Sequence, residues 1–126
     1  MEDTGKEKRK FPRTCFSGEN GLSAIFKLPE PYNESAEGIV RDLSLGGMGF
    51  SLKKDYPMLN KDQVIILSEV LNRPSLSFMK DIEMEIRWIC LDPAEEFSLG
   101  CEFVNFPDDI AEQLRKVMAS WSIRVI

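Results

Sequence analysis

"EGIVRDLSLGGMGFSL", residues 37–52, divides at its glycines. On one side Ile39 and Val40 are apolar and β-branched; on the other Met48, Phe50 and Leu52 alternate with Gly49 and Ser51. That period of two leaves one face of a strand apolar. Gly46, Gly47 and Gly49 stand at the join, where a missing Cβ permits positive φ and lets another group approach the backbone closely. The stretch therefore predicts two strands around a glycine-rich turn.

Working outward, the same period recurs. "LSAIFKL" (22–28) sets Leu22, Ala24, Phe26 and Leu28 on one face, and "PEPYNES" after it is a loop fixed by Pro29 and Pro31. "QVIILSEV" (63–70) is a short apolar run and predicts a buried strand. "FMKDIEMEIRWICL" (78–91) predicts a long strand with one wet face: Ile82, Met84, Ile86 and then Trp88 or its neighbour inward, Asp81, Glu83, Glu85 and Arg87 outward. "SLGCEFVNF" (98–106) is the last strand, with Cys101 and Phe103 on one face. Only "DDIAEQLRKVMASW" (108–121) has helical spacing, with Ile110, Leu114, Val117, Met118 and Trp121 in a stripe behind an acidic first turn. Several strands followed by one helix predict an all-β fold, an antiparallel β-barrel with a packed C-terminal helix.

At 126 residues the chain has room for one core. Its net charge of -5 argues against a polymer-binding surface, which is broadly basic in proteins that hold duplex DNA or RNA. Histidine is absent, which removes the commonest general base and the commonest zinc ligand. No nucleophile–base arrangement replaces it; Glu95 and Glu96 read as a solvated loop, Asp108 and Asp109 as a helix start. The chain is thus expected to be no enzyme, with no catalytic residue, metal or cofactor. Cys15, Cys90 and Cys101 form no C-x-x-C pair, and Cys90 and Cys101 read as small buried apolar side chains. With no signal-peptide pattern and no apolar run of membrane-spanning length, a reduced cytoplasm is the expected location, without membrane insertion.

Against this acidic background "KEKRKFPRT" (6–14) gathers Lys6, Lys8, Arg9, Lys10 and Arg13 around one acid, Glu7. Residues 1–13 are polar and read as a mobile arm. Pro12 disfavours a helix there. In an extended chain Arg9 and Arg13 lie about 13 Å apart at Cα, so two long side chains can converge on one bulky anion. Alone, the arginines read as a solvated charged tail. The turn region offers a complement. If 41–44 is extended, Asp42 and Ser44 face one side; a carboxylate accepts from the N1–H and N2–H2 edge of guanine, and a hydroxyl donates or accepts beside it. Alone, a hairpin turn with a polar lead-in explains that stretch equally.

The two together, Arg9 and Arg13 of R-x-x-x-R followed by Asp42, Ser44 and Gly47 of D-x-S-x-x-G, resemble the signature of the PilZ domain family. "LGCEFVNF" ahead of a terminal helix resembles that family's last barrel strand, and Trp88 lies where its members carry a long alternating strand. The likeness runs from about Lys8 to the end. It implies a six-stranded antiparallel barrel with a C-terminal helix and a flexible N-terminal arm. The arm is residues 1–8 and the PilZ domain 9–126, with the barrel at about 14–106 and the helix at about 108–121.

It also implies a bacterial receptor for the second messenger cyclic di-GMP. Arg9 and Arg13 would grip phosphates and guanine edges, and Asp42, Ser44, Gly46 and Gly47 would line the barrel face that receives a guanine. Lys8, just before the first arginine, leans towards an intercalated nucleotide pair. The partner would be an effector protein met by the moved arm, with motility, biofilm polysaccharide or pilus control as family outputs. The rival readings are a PilZ-like adaptor that contacts only protein, and a single-stranded nucleic-acid binder with Phe11 and Phe16 as its only candidate aromatics.

Overall fold

A computed structural model describes residues 14–16, 21–91 and 96–123, with side chains as far as Trp121. In chain order the elements are β1 (Thr14–Cys15), β2 (Leu22–Lys27), β3 (Ser35–Leu43), β4 (Gly47–Leu52), β5 (Val64–Val70), β6 (Ile82–Leu91), β7 (Phe97–Phe103) and α1 (Asp108–Ile123), with a 3-10 turn at Pro74–Leu76. The sheet order is β1-β3-β2-β5-β6-β7-β4, and β4 returns to pair with β3. All pairings are antiparallel, so β2 to β7 close a six-stranded barrel and β1 is an added edge strand. Closure removes the unpaired edges that an open sheet of this size would leave.

The alternating apolar positions fill the interior. Phe26, Val40, Phe50, Ile65, Leu67, Met84, Ile86 and Leu99 are all fully buried. Phe26 and Phe50 stack at 4.0 Å between ring centroids. Leu114 of α1 is fully buried, and Val117, Met118 and Trp121 pack beside it. Truncating Leu114 to alanine would cost about 2–5 kcal/mol, the usual range for a filled core site.

β3 is longer than β2. Their pairing ends at Leu22↔Val40, and β1 covers the rest of that edge through Thr14↔Leu43, Cys15↔Asp42 and a bond from Phe16 N to Arg41 O at 2.8 Å. Phe16 then buries its ring edge-on to Trp121 at 5.7 Å, and the Arg73 guanidinium lies 5.7 and 5.8 Å from the two ring centroids. The segment that follows the basic arm is thereby fastened to both β3 and α1.

Several expectations change in detail. β6 begins at Ile82 rather than Phe78, because the chain turns at Asp81 with a φ of 55°. β7 runs from Phe97 to Phe103 rather than to Phe106; Asn105, at φ 52°, turns the chain towards α1. β5 is one-sided rather than buried, since Val64 faces outward opposite Glu85. The register shift between Ile86 and Trp88 decides the inward position in favour of the neighbour: Ile89 turns in opposite Leu99, while Trp88 stays outside, 46% exposed. The same shift turns Cys90 outward, against the expectation of a buried thiol. Cys101 is buried as expected, and desolvation pushes its thiol up to about 12. Among the described residues no helix is long and apolar enough to cross a membrane.

Candidate functional site

One row of cross-strand partners crosses the outer face of the barrel. Cys15 pairs with Asp42, Asp42 with Gly49, Gly49 with Gly100, and Gly100 with Trp88. From Asp42 to Trp88 the row covers three strand spacings, about 14 Å. Its middle is bare of side chains, and the residues at its ends lean over it. A Cβ on Gly49 would come within 2.9 Å of Asp42 Oδ2, and one on Gly100 would collide with the Trp88 indole. The carboxylate and the indole thus approach each other across a floor of two paired glycines.

Two bulges create the row. A β-bulge adds one residue to a strand and re-aims the side chains around it. In β3 the shift falls between Val40 and Asp42: Val40 points into the core, and Arg41 and Asp42 follow each other on the outer side. In β6 it falls after Ile86, so that Arg87 and Trp88 are likewise consecutive and exposed.

The glycine rung lies between two polar rungs of the β4–β7 pairing, Gly47↔Glu102 and Ser51↔Ser98. Beside the first, Arg87 reaches Glu102 at 2.6 Å, Glu85 at 3.1 Å and Asp62 at 3.7 Å. Its guanidinium is held above the ordinary arginine value, chiefly by the hydrogen bond to Glu102. Beside the second, Arg41 Nη2 donates to Glu96 Oε1 at 2.5 Å and Nε to Ser51 Oγ at 3.2 Å, with Ser51 and Ser98 hydroxyls 3.1 Å apart. Glu96 lies in the loop ahead of β7, open to water, and there pairs with Arg41; Glu95 lies outside the described residues.

Of the sequence-derived site residues, Asp42 stands on the row. Ser44 does not offer its hydroxyl outward. It is 9% exposed, its Oγ accepts from Gly46 N at 3.0 Å, and its N–H donates to Gly47 O at 2.9 Å, closing the turn. Gly46 is tied to β7, its carbonyl accepting from Phe103 N at 2.9 Å. Gly47 has an ordinary φ; what excludes a side chain there is the carbonyl of Cys101, so close approach and not a left-handed turn requires the glycine. Lys8, Arg9 and Arg13 lie outside the described residues, as do the arm and its boundaries. Thr14, the residue after Arg13, pairs with Leu43 beside Asp42.

Sequence reading missed three contributors. A strict period of two cannot register a bulge, so it does not assign Trp88 to a face. Gly100 was hidden in an ordinary strand, and Arg41 passed as the lead-in to Asp42. Among the described residues no His, Cys, Asp and Glu cluster suits a metal ion.

The profile of the PilZ domain matches residues 7–120. Among solved structures, the PilZ domain of YcgR from Escherichia coli with c-di-GMP is 20% identical, with a TM-score of 0.68 over 90% of each chain. The K. pneumonia MrkH–c-di-GMP complex is 16% identical, with a TM-score of 0.65 over 91% of this chain and 52% of that one. The Bacillus subtilis inhibitor of motility MotI/DgrA is 18% identical, with a TM-score of 0.66 over 94% and 53%. This chain thus spans about half the length of MrkH and MotI. No curated protein matches at the sequence level. At these identities the structural likeness establishes the fold.

Proposed function

The chain belongs to the PilZ domain family, and from that premise we propose that it is a cyclic di-GMP receptor and not an enzyme. The nucleotide is taken on the outer face of the barrel between Asp42 and Trp88. Asp42 accepts from a guanine edge, and the indole supplies an apolar wall or stacking surface for a base. Arg9 and Arg13 grip phosphates from the arm, Lys8 favours an intercalated pair, and Gly46 and Gly47 keep the turn close to β7 with Ser44 bracing it. The domain then runs through residues 9–126, with 1–8 as the free end of the arm.

The observation that carries this reading is the pairing of β1 with β3. It delivers Thr14, the residue after Arg13, to Leu43 beside Asp42, which supports a reading in which the two halves of the signature act on one ligand. The row beside it has the chemistry a guanine needs, a carboxylate and an aromatic face over a glycine floor. The arm closing over bound nucleotide would present an effector protein with a surface that changes with occupancy. Motility, polysaccharide or pilus control are the candidate outputs.

Titration calorimetry with cyclic di-GMP against GTP and cyclic GMP tests this. Cyclic di-GMP alone should bind at micromolar concentration or below. Hydrogen bonds to charged groups contribute about 1.5–3 kcal/mol, so Arg13→Ala and Asp42→Ala should each weaken binding at least about tenfold. Absence of heat with the wild-type chain at micromolar nucleotide would favour the protein-only adaptor.

A further inference from the structure

We infer that Arg41 is a further cationic contact for the nucleotide, exchanging Glu96 for one of the ligand's phosphates on binding; this rests on the cyclic di-GMP reading above. The β3 bulge makes Arg41 the immediate outer-face neighbour of Asp42. Its guanidinium lies at the Ser51–Ser98 rung, one step of the pleat, about 6.8 Å, from the glycine floor. An arginine side chain spans that step.

The state of the guanidinium matters more than its position. Its Nε is bonded to Ser51 and its Nη2 to Glu96, while Nη1 makes no hydrogen bond among the described residues. The pair with Glu96 is open to water, with the two side chains 42% and 44% exposed. Such pairs hold weakly, because solvent screens them and ordering two long side chains costs entropy. Phosphate oxygens fit the planar fork of arginine at least as well as a carboxylate does, and bidentately. A ligand carrying two phosphates therefore competes with Glu96 on favourable terms. Once displaced, Glu96 remains a like charge beside the ligand and opposes its binding.

The inference makes two predictions of opposite sign for the two partners of one ion pair, read by calorimetry with cyclic di-GMP. R41Q should bind about tenfold more weakly, the loss of one charge-assisted contact. E96Q should bind about two- to threefold more tightly, because the competitor loses its charge. A merely structural pair would move both variants the same way. Thermal melts check that R41Q is folded; should it not be, E96Q decides by itself. Wild-type affinity in a folded R41Q, or affinity in E96Q at or below wild type, overturns the inference and leaves the receptor reading standing. A wild-type chain that binds no cyclic di-GMP overturns both.

Discussion

Arg41 and Arg87 reach the outer face by the same route, an extra residue in a barrel strand, and end in different company. Each precedes the residue that leans over the glycine floor, Asp42 in one case and Trp88 in the other. Arg87 is enclosed by Glu102, Glu85 and Asp62. Among the described residues Arg41 pairs with one carboxylate, Glu96, and has two serines beside it. A bulge decides which side chains come out, and the residues across the neighbouring strands decide what those side chains are free to do. The β6 bulge is a braced wall that fixes an indole. The β3 bulge carries a carboxylate and an arginine whose partner is exchangeable.

The largest expected contrast tests whether the β6 bulge is present at all. Cys90 is outside because Arg87 and Trp88 are consecutive on the outer face; without the extra residue it would share the inward side with Ile86. A maleimide applied to the folded chain at pH 8 should label Cys90 and spare Cys101, with sites read by mass spectrometry. Cys101 is buried, and a pKa of about 12 leaves a thiolate fraction of about one in ten thousand at that pH. Equal protection of the two thiols would place Trp88 inside and remove half of the proposed site. The shift also has a sign for stability. The folded chain keeps the Cys101 proton where the unfolded chain has lost it. The stabilisation is whole below the ordinary value of 9.0 and declines as pH rises towards about 12. Denaturant melts from pH 8 to 11 should show that decline, and less of it in Cys101→Ala.

Next in size are the effects on binding at the wall. Stacking of a base on an aromatic ring is worth about 1–3 kcal/mol, so Trp88→Ala should weaken cyclic di-GMP binding about tenfold, and Trp88→Phe should recover most of it. Gly100→Ala should weaken binding by displacing the indole without removing it, since a Cβ there collides with Trp88. Tryptophan fluorescence on titration distinguishes these outcomes. A Gly100→Ala chain with wild-type affinity would mean that the ligand does not use the indole.

How much of this was legible in the sequence follows from the same bulges. The barrel was readable because Leu22, Ala24 and Phe26, or Met48, Phe50 and Leu52, keep the period of two without interruption, and the helix because Ile110, Leu114, Val117 and Trp121 keep theirs. The motif singles out Asp42 as a candidate, and the fold sets it on the outer row opposite Gly49. Trp88 and Cys90 were not legible, because one added residue inverts the inward and outward parity of everything after it until the strand ends. A serine before a tight turn has two uses, meeting a ligand or bracing the backbone, and the sequence alone does not separate them; in the fold the Ser44 hydroxyl accepts from Gly46 N. Apart from Glu85, two residues before Arg87, the partners that distinguish Arg41 from Arg87 come from positions remote in sequence, Glu96 for the first and Asp62 and Glu102 for the second.

The smallest expected effect is the one that holds the comparison together. If Arg87 is structural, Arg87→Gln should leave cyclic di-GMP affinity within about twofold of wild type, well short of the tenfold that one charge-assisted contact represents. Its consequence should appear in stability. Removing the cation leaves Glu85, Glu102 and Asp62 facing one another without a counter-charge. All of these groups lie at the surface, so the penalty should be modest at low ionic strength and should shrink as salt shortens the screening length from about 30 Å at 0.01 M to about 3 Å at 1 M. Urea melts at two salt concentrations measure it. A large loss of affinity in Arg87→Gln, with stability unchanged at both salts, would make Arg87 the ligand's arginine and erase the distinction between the two bulges.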